Sequence, residues 1–299
     1  MARQGKATRV DLRSVLVGLV FICFWSSAFA TARIIVADMA PLAALALRFL
    51  ISGLIALGLA AALGQTLRLS RRQLVPVMVF GLCQNALYLG LNFIALQQVE
   101  ASVAVIIAAT MPLLVAGLAW ALRGERLPPL GTAGLLAGFA GVALIMAHRL
   151  QGGADPAGVL LCIGGALALA VATLTLRGAA AGGSNLLAIV GYQMLVGSVA
   201  LALAAWLFEP FRLVPSLPLV LAFLWQVAGP GITATLLWFW LVGRIGATRA
   251  ATFHFLNPFF GVLAAALLLG ERISAWDLAG VAGTMAGLLA VQLGRRPQP

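Results

Sequence analysis

"EASVAVIIAATMPLLVAGLAWALRGERL" (residues 100–127) and "GATRAATFHFLNPFFGVLAAALLLGER" (residues 246–272) are two versions of one pattern. Offset by 146 positions, Met111-Pro112 falls on Asn257-Pro258, and Gly124-Glu125-Arg126 on Gly270-Glu271-Arg272. Ala101-Ser102 falls on Ala247-Thr248, and Gly134 and Gly141 fall on Gly280 and Gly287. With an offset near 144, Arg33 matches Arg177. The chain therefore reads as two copies of one unit, residues 1–147 and 156–293, joined by residues 148–155.

What the unit is follows from composition. The chain is 63% hydrophobic and 9% charged, against about 25% charged in soluble domains. A spanning helix needs about 20 apolar residues. The segments near 12–34, 41–63, 73–95, 99–122, 129–147, 156–176, 186–208, 217–241, 247–269 and 275–293 meet that need, with short polar, Gly- or Pro-containing links between them. The expected fold is an all-α integral membrane protein of ten transmembrane helices. Each unit then has five helices. Five is odd, so the second copy enters the membrane upside down, giving two inverted-topology five-helix repeats. Such repeats are the architecture of many secondary transporters.

The net charge of +11 is read as orientation, not as nucleic-acid binding. With the N-terminus in the cytoplasm, inside segments carry fourteen Lys and Arg residues, and outside links carry three, Arg149, Arg212 and Arg272. The positive-inside rule then places both termini in the cytoplasm. The start of the chain also has signs of a secretory signal: Arg3, Lys6, Arg9 and Arg13 precede the apolar run Val15 to Phe24, and Ala28-Phe29-Ala30 has a cleavage-site form. Residues 12–34 nonetheless fill the slot of 156–176 in the second copy, so retention as a structural helix is expected. Cys23, Cys83 and Cys162 lie in apolar spans without metal-ligand spacing and read as buried small hydrophobes; no cofactor or metal is expected.

The paired Pro and Gly-Glu-Arg positions, "FWSSAF" in helix one and "PLAALALRF" in helix two resemble the drug/metabolite transporter superfamily, in its ten-helix branch with two EamA-type repeats. The resemblance covers nearly the whole chain. It implies a central cavity lined by helices 1–4 and 6–9, with helices 5 and 10 peripheral. It extends to the YddG-like amino-acid exporters of that branch, and implies a multi-pass protein of the bacterial inner membrane.

Candidate residues come from polarity at depth. Asp11, Asp38, Glu100, Glu125, Asp155, Glu209, Glu271 and Asp277 all fall near span ends, so no mid-membrane carboxylate offers a cation or proton site. Arg48 lies seven residues beyond Pro41, about 10 Å along a helix. At that depth a guanidinium either faces a cavity and meets a substrate carboxylate or snorkels to the interface. Gln84, Tyr88 and Asn92 recur at helical spacing and read as an inward face, or as interhelical hydrogen bonding. Tyr192 and Gln193 occupy the second-copy slot of Arg48. His254 precedes Asn257-Pro258, and Pro112 and Pro258 are kink or hinge positions. Trp25, Trp238 and Phe253 lie deep enough to wall an apolar pocket, with Ser27 beside Trp25. The pairs Gly134/Gly138 and Gly283/Gly287 read as close packing within the fold of a monomer, with a dimer through helices 5 and 10 as the alternative.

These features point to an alternating-access transporter, exporter or facilitator, of small neutral or zwitterionic metabolites, amino acids including aromatic ones above all. Its expected partners are the small-molecule substrate and the lipid bilayer. No catalytic residue is expected. An integral-membrane enzyme is the rival, but His148 and His254 cannot converge in this topology. Export of another metabolite or drug class also remains open.

Overall fold

A computed structural model of the chain describes residues 12–124, 128–151, 153–175, 185–245 and 252–294. Glu125, Arg126, Arg177, Ala247 and Thr248 from the sequence matches lie outside these residues. So do Asp11 and the basic positions Arg3, Lys6, Arg9, Arg249, Arg295 and Arg296. Among the described residues the regular structure is helical, apart from one isolated antiparallel bridge, Met39 with Leu213.

Helix α1 is Leu12–Asp38 and α2 is Pro41–Ala62. α3 runs through three segments, Arg71–Phe80, a π-helical stretch Gly81–Tyr88, and Leu89–Ala95. α4 is Ala101–Ala109 and Met111–Arg123, joined at Thr110; α5 is Pro129–Gln151 and α6 is Pro156–Thr175. α7 is Leu186–Phe208. α8 is Leu217–Gln226, a π-helical stretch Val227–Thr233, and Ala234–Ile245. α9 is a 3₁₀ turn, Thr252–Leu256, continuing as Asn257–Leu269, and α10 is Ala275–Gly294. Among the described residues seven helical stretches are long and apolar enough to cross a membrane: Leu12–Asp38, Pro41–Ala62, Arg71–Ala95, Ala101–Ala121, Pro129–Arg149, Leu186–Phe208 and Leu217–Trp238. Pro156–Val171, Asn257–Leu269 and Ala275–Val291 are apolar but shorter.

The helix ends follow from local chemistry. Prolines open α2, α5 and α6, where the missing N–H has no intrahelical partner to lose. The first free N–H groups of several helices meet a side chain from a distant link. Glu209 accepts from Leu42 N and Ala43 N of α2 at 2.9–3.1 Å. Glu271 accepts from Ala101 N and Ser102 N of α4 at 2.7 and 3.1 Å. Gln65 accepts from Leu187 N of α7 at 3.1 Å. Gly124 and Gly270 end α4 and α9 at φ 64° and 69°, a left-handed turn that glycine makes without a Cβ clash. Pro112 and Pro258 stand at breaks: the backbone flattens at Thr110 (ψ −10°) and Leu256 (ψ −8°), and helix restarts at Met111 and Asn257.

The packing interlocks the two halves of the chain. α1 lies against α8 and α9, while α6 lies against α3 and α4. α2 pairs with α7, α5 with α10, and α4 with α9. Ala101–Ala109 of α4 is buried at every residue and forms the centre of the largest core cluster. Glycines set the α5–α10 seam. A Cβ on Gly134 would stand 2.7 Å from Gly287 O, and one on Gly141 would stand 2.8 Å from Gly280 O. Both glycine-rich faces thus meet within one chain.

Candidate functional site

The predicted residues separate into groups at different depths. Trp25 of α1, Trp238 of α8, and Phe253 and His254 of α9 come together. The imidazole of His254 is ringed by Phe21, Trp25 and Trp238, with ring centroids 5.3, 5.6 and 5.1 Å away, each met edge-on or steeply tilted. Phe21 completes the cluster at 5.4 Å from Trp238. Phe253 packs on Gly18, where a Cβ would come within 2.2 Å of its ring.

One to two turns further along α1 lies a polar band. Ser26 Oγ donates to Asn257 Oδ1 at 2.6 Å, so the residue before the α9 proline is tied to α1. Ser27 Oγ accepts from Trp225 Nε1 at 2.8 Å and donates to Phe24 O. Gln226 Nε2 donates to Ala28 O at 2.6 Å and to Thr31 Oγ1 at 3.0 Å.

Arg48 lies at the level of Gln226. It is seven residues into α2, Thr31 is seven residues before the end of α1, and Gln226 is nine residues into α8; at 1.5 Å per residue, each is about 10–14 Å from that end of the bundle. Arg48 is 7% exposed and Gln226 is fully buried. The Arg48 guanidinium lies 5.2 Å from the Phe49 ring. Arg48 Nε, Gln226 Oε1 and, one turn along α2, Ser52 Oγ are buried without a hydrogen-bond partner. Ser52 in turn faces Gly231 in the α8 π stretch, where a Cβ would stand 3.0 Å from Oγ. A buried orphan polar atom costs about 1–3 kcal/mol, so three near one level of α2 and α8 call for a ligand, an ordered water or a rearrangement.

The remaining candidates sit elsewhere. The expected Gln84–Tyr88–Asn92 face is divided by the π stretch, whose i→i+5 bonds rotate successive side chains away from α-helical register. Asn85, not Gln84, is buried toward α7 and donates to Gln193 O at 2.9 Å; Gln84 is half-buried. Tyr88 and Asn92 stay together, with Asn92 Nδ2 donating to Tyr88 O at 2.7 Å, and both stand against Gly165 of α6. Asn92 Oδ1 is a fourth buried orphan. Tyr192 lines a depression of about 570 Å³ beside Leu67, Arg68 and Met78 at the other end of α2, and Gln193 contributes its carbonyl to Asn85. The sequence reading missed Gln226, Ser52, Thr31 and Asn257 as site residues. Gln226, like Gln84, is an amide inside an apolar run, but it lacks the polar neighbours at helical spacing that marked Gln84.

The described carboxylates all work at helix ends. Asp277 binds Arg149 at 2.8 and 3.0 Å, and Glu100 pairs with the same guanidinium. Arg33 donates to the carbonyls of Leu96 and Val99. Burial pushes the Glu100 carboxyl above its ordinary value, although Arg149 pulls the other way: dehydration outweighs the ion pair.

Known proteins agree with this architecture. The profile of the EamA-like transporter family matches residues 12–147 and 156–293. The uncharacterized transporter YvbV of Bacillus subtilis (strain 168) is 28% identical over 273 residues, covering 90% of this chain and 88% of its own. The uncharacterized inner membrane transporter YedA of Escherichia coli (strain K12) is 26% identical over 289 residues, covering 94% of this chain and 91% of its own. A solved crystal structure at 25% identity superposes with a TM-score of 0.67 over 94% of this chain and 96% of that one. The apolar helices make it a multi-pass membrane protein, and with both stretches matched the chain belongs to the EamA-like transporter family of the drug/metabolite transporter superfamily.

Proposed function

We propose that the protein is an alternating-access transporter of small zwitterionic metabolites, amino acids first among them, in a bacterial inner membrane. The observation that carries this is the pairing of orphans at one depth. Arg48 presents an unused N–H donor of fixed positive charge, and Gln226 presents an unused carbonyl oxygen. A carboxylate suits the first and an ammonium group the second. The aromatic cluster around His254 lies one layer deeper and suits an apolar or aromatic side chain.

The inverted ten-helix reading has support of its own. α1 on α8 and α9 matches α6 on α3 and α4 when the halves are exchanged. The π stretches Gly81–Tyr88 and Val227–Thr233, the breaks at Thr110 and Leu256, and the turns at Gly124 and Gly270 fall at the same 146-residue offset. Gln65 capping α7 answers Glu209 capping α2. Two like halves of opposite orientation can exchange shapes and open one site to either side. The charge bias puts both termini in the cytoplasm.

The test is uptake by purified protein in liposomes over a panel of labelled metabolites, with Arg48→Gln as the variant. A charge-assisted hydrogen bond contributes about 1.5–3 kcal/mol, so apparent affinity for an amino acid should fall about tenfold or more. Affinity for the corresponding amide should fall much less. Equal losses for acid and amide in a folded variant would remove the carboxylate role, and absence of flux for every amino acid would remove the substrate class.

A further inference from the structure

α3 is the least enclosed of the long apolar helices, with 22% of its most apolar window buried against 39% or more in the others. Leu74, Val75, Met78 and Leu82 form an exposed apolar stripe along it. At the foot of the stripe stand Arg71 and Arg72, and Arg68 precedes them in the α2–α3 link; all three are exposed. Between this link, α3 and α7 runs a groove of about 570 Å³, lined by Arg68, Leu74, Met78, Tyr192 and Val196 among others.

The groove has a fixed floor. Gln73 caps Ser70 at the start of α3 and donates to Asn185 Oδ1 at 2.9 Å. Asn185 Nδ2 reaches Arg68 O at 3.4 Å, and Gln65 caps α7. Arg68 is therefore displayed on a pinned link, and Arg71 and Arg72 on the first turn of the helix that follows it. Among the described residues every carboxylate lies at the opposite end of the helices, bound to Arg149, to Ser216 or to a helix N-terminus. None of them neutralises this cluster.

We propose that the groove binds an anionic phospholipid. Its phosphate is held by Arg68, Arg71 and Arg72, and one acyl chain lies over Leu74, Met78 and Val196 beside the ring of Tyr192. Three guanidinium forks match phosphate oxygens in geometry and in charge. Basic residues at a membrane surface draw anionic lipids in proportion to their number. The apolar stripe continues from the arginines along α3, as a chain continues from its headgroup. This assigns Tyr192 to the lipid side, and it stands independently of what the protein transports.

The test is native mass spectrometry of the full-length protein in a neutral detergent, titrated with phosphatidylglycerol and with phosphatidylcholine of the same acyl chains. Phosphatidylglycerol should bind about tenfold or more tightly, and rising ammonium acetate should narrow the gap. The triple variant R68Q/R71Q/R72Q should bind the two lipids alike. Removing three arginines also weakens the orientation bias, so Met78→Trp is the companion: it fills the groove, keeps every charge, and should weaken binding of both lipids. Equal binding of the two lipids to the native protein would overturn the proposal. So would unchanged phosphatidylglycerol binding in Met78→Trp, or full competition by soluble glycerol phosphate, which would reduce the site to a phosphate contact.

Discussion

Gly18 has no room for a side chain, because the ring of Phe253 occupies the space a Cβ would need. Gly18→Ala should force that ring away from α1 and disturb the neighbouring His254 cluster. The expected cost is about 1–3 kcal/mol, measurable as a lower midpoint in thermal unfolding followed by tryptophan fluorescence. If the variant melts with the wild type, the contact is loose. The aromatic residues were legible in the sequence because depth alone selects them: a Trp or His mid-span has few places to go but inward. Gln226 was passed over because it stands alone, with no polar neighbour at helical spacing. Tyr192 was singled out by its place in the second-copy slot of Arg48, and it lines the groove beside Arg68; rotation of a helix about its own axis leaves little trace in a run that is apolar on every side.

Helices in this protein are ended by side chains from far along the sequence, and those contacts carry energy. Glu271 satisfies two N–H groups of α4 and places negative charge at the positive end of its dipole. Glu271→Ala should lower stability by about 1–2 kcal/mol, read by thermal unfolding in detergent, with Glu271→Gln intermediate because one amide oxygen remains to accept. Glu100, at the head of the same helix, behaves oppositely. Burial raises its carboxyl, so the folded protein holds a proton at pH values where the unfolded chain has released it. Stability should therefore rise as pH falls from neutral toward the usual carboxylate range, and Glu100→Gln should flatten that part of the profile. An unchanged slope would assign the pH response to other groups. The π stretch of α3 could not be foreseen from periodicity, since the apolar pattern fits an α-helix equally well; within it Asn85 rather than Gln84 is buried against α7.

At the scale of the whole molecule, the described carboxylates sit at helix ends in capping or ion-pair contacts, so none is placed to carry protons through the middle of the bundle. Exchange of labelled for unlabelled substrate in liposomes should survive collapse of the pH gradient by an ionophore; strict loss would turn attention to His254. The apolar segments, the two-fold sequence match and the charge bias were all readable, since each is set by residue type and spacing along the chain. Which helix lies on which was not. In lipid that choice rests on small-residue fit and a few polar ties, such as Gly141 under Gly280 and Ser26 with Asn257. The last tie has a temporal consequence. Its two residues are 231 positions apart, and a ribosome adds about 5–20 residues per second. For some tens of seconds after α1 leaves the ribosome, its neighbours α8 and α9, which hold the polar band, do not exist. Throughout that interval Ser27 and Thr31 have only their bonds within α1, to Phe24 O and Ser27 O, and Ser26 waits for Asn257, so α1 is among the last helices to reach its final surroundings.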